Sequence, residues 1–203
     1  MTGIRGAPPG RAGVLWLRRR LALARRGSDV LCRKVAMLAA ERERLRQRAR
    51  ATGCDLAEAD AAARIWLRRA AVLDGADAFA AAAADATALV VHPRWTVLLG
   101  VRCAEPPDQP EPGEVGCPPP AGGAALHGAA AAYRSAAAAA VRHAAAVHAL
   151  TSVEAALTVT RQRVRALDRR WIPRLEAALG ATDAQLAELE SADAVRRRRA
   201  ARP

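Results

Sequence analysis

Residues 14–73 read VLWLRRRLALARRGSDVLCRKVAMLAAERERLRQRARATGCDLAEADAAARIWLRRAAVL. Steps of three and four alternate through this stretch. They pass Val14, Leu17, Leu21, Ala24, Ser28, Leu31, Val35, Leu38, Arg42, Leu45, Ala49, Thr52, Leu56, Ala59, Ala63, Trp66, Ala70 and Leu73. Only Ser28, Arg42 and Thr52 are polar, and most arginines of the first third fall between these positions. A repeat averaging about 3.5 residues keeps a narrow apolar seam turned toward one partner helix over many turns. A globular core helix carries a wider apolar face at about 3.6. The stretch therefore reads as half of a long coiled coil, an arm of about 90 Å at about 1.5 Å per residue.

A second seam lies near the other end, through Leu150, Val153, Leu157, Thr160, Val164, Leu167 and Trp171. There the count changes, because Trp171, Leu175 and Leu179 are two fours in succession; it resumes through Thr182, Leu186, Leu189 and Asp193. Such a stutter unwinds a supercoil locally. Pro173 lies inside it, and its missing N–H and its ring predict a bend near Arg169. Gly180 loosens the same region. In the first arm Gly53 is a weak point, with Asp55 and Glu58 as a capping pair for a restart. The three-four count survives across it, so the arm should continue.

Between the arms the texture differs. Pro8-Pro9-Gly10 blocks a helix before Arg11, and after Asp74-Gly75 the alanine-rich run Ala76–Ala88 reads as helix. In Arg94–Arg102 (RWTVLLGVR), Trp95, Val97 and Leu99 alternate with Thr96, Leu98 and Gly100, as in a short strand. It would pair in a hairpin around His92-Pro93-Arg94 or with the stretch after it. Ala104–Gly123 holds seven prolines, four glycines and no basic residue, which predicts a mobile loop. Helix returns from Ala124.

The expected fold is all-α: an antiparallel two-helix coiled coil of N- and C-terminal arms, with a small middle lobe holding a short strand or hairpin and a Pro-rich loop. The segments are 11–75, 76–125 and 126–203. With ends aligned, position i meets roughly 210 − i, which puts Arg42 within a turn of Asp168. Alanine dominates the 52% apolar content and only one Phe, one Tyr and four Trp are present, so elongated helical packing suits the chain better than a thick core. The small-residue seam makes the pair marginal alone.

The net charge of +12 is uneven: residues 1–50 carry +11, 51–125 carry −5 and 126–203 carry +6. Basic ends suit either an acidic protein socket or a nucleic acid. Neither a membrane-spanning run nor an apolar leader pattern is expected. Cys32, Cys54, Cys103 and Cys117 form no C-x-x-C pair and read as reduced, incidental thiols. His92, His127, His143 and His148 include no pair at metal-binding helical spacing, the glycines lack a phosphate-loop context, and Ser28, Ser135, Ser152 and Ser191 have no partner pattern. No catalytic residue, cofactor or metal site is expected. Arg196–Arg199 reads as a solvated tail.

Three motifs resemble one family. Pro9, Arg11, Leu15, Leu17, Leu21, Arg26, Gly27, Leu31, Lys34 and Leu38 match the opening pattern of the D subunit of V-type and A-type rotary ATPases. Thr160–Leu167 followed by Ile172-Pro173-Arg174-Leu175-Glu176 resembles its T-R-R-R-V-N-A-L-E-x-x-x-I-P-R-L-E. Val97–Arg102 resembles its N-I-M-G-V-K. Gly10, Val35-Ala36, Arg165 and Ser191–Ala194 depart from the pattern, as does the Pro-rich insert. The resemblance implies a non-catalytic central rotor shaft that transmits rotation between a catalytic hexamer and an ion-translocating membrane ring. It implies hexamer contacts at Arg11, Leu15, Leu21, Arg163, Arg174 and Leu175. Contacts to the small F subunit of the central stalk are implied at Trp95, Val97, Leu99, Gly100 and Val101, together with a foot subunit joining the ring. The shaft would lie peripherally on the cytoplasmic side of the membrane, bind no nucleotide itself and need no nucleic acid. The alternative is a basic helical nucleic-acid-binding or scaffold protein.

Overall fold

A computed structural model describes residues 8–84, 91–105 and 122–201 of the 203. The chain runs α1 (Gly10–Leu73), α2 (Gly75–Ala84), β1 (Arg94–Leu98), β2 (Val101–Glu105), α3 (Ala124–Ala166), a π-helical turn (Leu167–Trp171) and α4 (Ile172–Ala200). Two compact units result: Met1–Ala36 with Leu157–Pro203, and Met37–Ala156. Helix α1 continues unbroken past Gly53, as the surviving seam count predicts. It stops where Gly75 takes a positive φ of 77°, the left-handed cap that glycine adopts without a Cβ clash.

In the first unit, the seam residues Leu17, Leu21, Ala24 and Leu175 form a buried cluster, walled by Trp16, Trp171, Ile172, Ala178 and Leu179. Three ion pairs run beside it: Arg11–Glu190 at 2.6 Å, Arg18–Asp183 at 3.6 Å and Arg25–Glu176 at 2.7 Å. The arginines are seven apart on α1 and the acids seven apart on α4, so they form a ladder along one flank of an antiparallel pair. The numbers of each pair add to 201, which corrects the assumed 210 by about nine residues. Asp168 meets Ser28, a pair whose numbers add to 196, with the Ser28 Oγ donating to its Oδ1 at 2.6 Å, and not Arg42 as that alignment expected. The Ser28 hydroxyl is thus satisfied inside the seam, where an unpaired one is costly.

A π turn, Leu167–Trp171, lies where the sequence predicts a bend. The Ile172 N–H donates to the Leu167 carbonyl, five residues back. The step from Trp171 to Leu175 is one residue longer than the heptad requires, and a π turn absorbs one extra residue. A widened turn also gives room at the Arg169 carbonyl, which the Pro173 ring would crowd in a regular helix. Leu175 and Leu179 return to the seam beyond it.

In the second unit, Leu38, Leu45, Ala49, Ala63 and Ala70 of α1 are buried, as are Ala136, Ala139, Ala146, Ala149 and Val153 of α3. Alanine lets backbones approach closely but buries little area per residue. Arg46 pairs with Glu154 at 3.5 Å, and Thr52 Oγ1 lies 3.2 Å from His143 Nδ1. Arg42 occupies a seam position with its Nε buried and without a hydrogen-bond partner. Trp66 is half-exposed and lies over Gly128, where an added Cβ would come 2.6 Å from the indole. Leu73, counted in the seam, is 74% exposed, because α1 ends there. Helix α2 packs Ala78, Phe79 and Ala82 on a cluster of Ala70, Ala125, Leu126 and Ala129. Asp74 caps α3 from a distance in sequence, with Oδ2 accepting the Leu126 N–H at 2.8 Å, the preferred partner for an orphan donor at a helix start.

The strands pair antiparallel with Leu98 opposite Val101, so the turn is Leu99-Gly100. Of the two expected hairpins, the strand pairs with the stretch after it and not around His92-Pro93-Arg94, and the turn falls within Arg94–Arg102. Both turn residues have positive φ, 51° and 78°, as a two-residue type I′ hairpin requires. Leucine fits that conformation poorly, which is why the sequence did not announce it. The helix expected to reach Ala88 is described to Ala84. Ala104 and Glu105, expected in the Pro-rich loop, end β2, and residues 106–121 of that loop lie outside the described residues.

Leu175→Ala should cost about 2–5 kcal/mol, the usual range for a buried leucine. Leu189→Ala, at an exposed position on the same helix, should cost less than about 0.5 kcal/mol. Urea melts followed by circular dichroism give both values.

Candidate functional site

No group of three or more His, Cys, Asp or Glu side chains is placed to hold a metal ion among the described residues. Two of the histidines have structural partners: His143 at Thr52, and His127 with Nδ1 2.9 Å from the Gly123 carbonyl. Two surfaces gather the residues singled out from the sequence.

The first is the hairpin. Opposed pairs share a face, so Thr96, Leu98, Val101 and Cys103 form one side and Trp95, Val97, Arg102 and Ala104 the other. Cys103 is buried on the covered side. Burial first, then the charges of Glu41 and Glu105, pushes its thiol above the ordinary cysteine range, so it stays protonated and unreactive. The other side is open: Val97 is 72% exposed, and Trp95 carries the Arg102 guanidinium 4.4 Å from its ring centre. Trp95 also meets His148 of α3 edge-on at 5.4 Å. The Ala104 N–H donates to His148 Nδ1 at 3.4 Å. His148 therefore clasps the outer edge of β2 to α3, a role its sequence context could not reveal because the partner is 44 residues away. A shallow, mostly apolar groove lies here, lined by Val91, Pro93, Trp95, Ala140, Val141, Ala144 and His148. Of the five residues singled out on the hairpin, Trp95, Val97 and Gly100 are exposed, while Leu99 and Val101 are half-buried.

The second surface lies in the first unit. Arg11, Val14, Leu15, Arg18, Asp183, Leu186, Ala187 and Glu190 line an open groove between α1 and α4. The hydrogen bond from Arg11 to Glu190, then the charge of Glu190, raises the guanidinium pKa further above its ordinary value. Leu15, Arg163 and Arg174 are exposed. Leu21 and Leu175 are not, because both pack in the seam cluster and support the surface from beneath. The sequence pattern places both on the seam as well, and that membership decides their burial.

No helix of the described residues is long and apolar enough to cross a membrane. In comparison with known proteins, the profile of the family described as the D subunit of ATP synthase matches residues 14–202. No curated protein matches the chain significantly.

At neutral pH, native-state alkylation should reach Cys32 and Cys54, both exposed, at least about tenfold faster than Cys103. Mass-spectrometric readout of each cysteine peptide over time measures this.

Proposed function

The chain belongs to the ATP synthase D subunit family, and on that premise we propose that it is the non-catalytic central-stalk shaft of a V/A-type rotary ATPase. It transmits rotation between the nucleotide-binding hexamer and the ion-translocating membrane ring. The observation that carries this reading is the self-paired α1 and α4, held in one antiparallel register by the Arg11, Arg18 and Arg25 ladder. A rotor has to bias the surrounding sites differently at each angular position, which needs a stiff asymmetric surface and no nucleophile. The π turn and the uneven charge supply asymmetry.

The chain divides by task into the three segments read from the sequence. Residues 11–75 and 126–203 form the shaft, with Arg11, Leu15, Arg163 and Arg174 facing the catalytic and regulatory subunits and Leu21 and Leu175 holding that face from within. Segment 76–125 docks the small F subunit through Trp95, Val97, Leu99, Gly100 and Val101. A foot subunit links the stalk to the ring, so the chain lies peripherally on the cytoplasmic side of the membrane through the complex. Exposed charge contacts are individually weak, which suits an interface that must exchange partners during rotation.

Deleting Arg94–Glu105 should abolish capture of the F subunit while the remaining chain still enters the hexamer; capture of the F subunit by the deletion variant overturns the assignment. In the assembled complex, Arg163→Glu with Arg174→Glu should lower the number of ions moved per ATP and leave nucleotide binding unchanged. An unaltered ratio from parallel pumping and hydrolysis assays contradicts the proposed hexamer contact.

A further inference from the structure

The two edges of the hairpin differ in what meets their backbone. In a two-residue hairpin the pair beside the turn, here Leu98 and Val101, exchanges both of its backbone hydrogen bonds, and the pattern alternates from there. Arg94, Thr96 and Leu98 thus turn their N–H and C=O groups toward β2. Trp95 and Val97 turn theirs outward. Ala104, opposite Trp95, shows the same alternation, because its N–H points away from β1 and donates to His148 of α3. A side chain therefore closes the outer edge of β2. That of β1 is open: among the described residues the outward backbone groups of Trp95 and Val97 find no partner. Burial divides the strands in the same way, since Val97 is 72% and Trp95 48% exposed while Cys103 of β2 is buried.

Unpaired N–H and C=O groups at strand spacing are the complement of another strand. A helix does not satisfy them, because its own backbone groups bond within the helix. A phosphate accepts from the N–H groups and leaves the C=O groups unpaired. We propose that the outer edge of β1 receives an extended segment of another protein as a third strand, held by main-chain hydrogen bonds to Trp95 and Val97. The side chains on the open face choose that segment. Arg102 lies 4.4 Å from the Trp95 ring centre and makes no ion pair among the described residues. An acid opposite Trp95 would meet this guanidinium, and an apolar residue two positions along would cover Val97. The β1 edge of a second copy does not fit, because its sequence RWTVL holds no acid and would oppose positive charge to positive charge. The inference adds a mode of recognition to the hairpin. It rests on backbone geometry, exposure and charge, without the rotary reading.

The test uses the full chain in the cells that express it, with a photo-crosslinking residue in place of His92, which is exposed just before β1. Crosslinked peptides are sequenced from the purified adducts. The expected adduct lies in a segment of another protein with an acid and an apolar residue two positions apart. Val97→Pro removes an outward N–H and leaves the bonds between β1 and β2 in place, so it should lower the yield about tenfold or more. Val97→Ile keeps the N–H and should hold the yield within about twofold. Slow alkylation of Cys103 checks that the hairpin stays folded in each variant. If Val97→Pro makes Cys103 reactive, a backbone ester at Val97 replaces it, removing the N–H and no side chain, with a smaller loss expected. A yield that loss of this N–H leaves unchanged overturns the proposal, as does the absence of any adduct. Adducts to this chain itself, to a second copy, to lipid, to nucleic acid or to a segment without that pattern overturn it too. An adduct of the expected pattern from a protein outside the ATPase would uphold the open edge and contradict the assignment of the hairpin to the F subunit, which separates the two.

Discussion

Register is the constraint on which the rest depends. Two helices whose seams repeat in steps of three and four, as Val14, Leu17, Leu21 and Ala24 do, can slide by a turn and still oppose apolar side chains. The heptad-spaced pairs of Arg11 with Glu190, Arg18 with Asp183 and Arg25 with Glu176 remove that freedom in the first unit. A slip by one turn would bring each arginine away from its acid. Exposed ion pairs contribute little net stability, so their value here lies in selecting among near-equal alignments. Leucines at positions 17, 21 and 175 then supply the burial that the chosen alignment makes possible.

The polar groups of the first unit act in the same direction. Ser28 donates to Asp168 at the start of the π turn, and Arg20 lies over Trp171 at its end. The turn carries one residue more than the seam requires, Pro173 prevents a regular α-helical solution nearby, and these two contacts hold the turn from either side. Asymmetry is thereby fixed in the chain and does not wait for a partner.

Most of the fold was legible because it is periodic. The uninterrupted α1 and the second seam follow from apolar spacing, and the helical restart at Ala124 from the alanine run after the Pro-rich stretch. Register was not legible, since an alanine-rich seam reads almost alike at many offsets, and an alignment at 210 − i misses the charge ladder that sets it. Arg11, Arg18 and Arg25 each had a heptad-matched acid, so the signal was present as a spacing between distant segments. The Leu99-Gly100 turn was hidden because leucine seldom takes a positive φ. Among the residues singled out as interaction sites, Leu15, Arg163, Arg174, Trp95 and Val97 are exposed, whereas Leu21 and Leu175 are buried in the seam. His148 as the hairpin clasp depends on tertiary contact and had no local signature.

Rotation is the central claim, and single-molecule imaging tests it most directly. The hexamer is fixed to glass, assembled with this chain, and supplied with ATP while a bead reports on the middle segment. Unidirectional stepping of the bead, in step with hydrolysis, is the predicted result. A bead that stays fixed in angle on a hexamer hydrolysing ATP, with the chain still bound, would contradict the account.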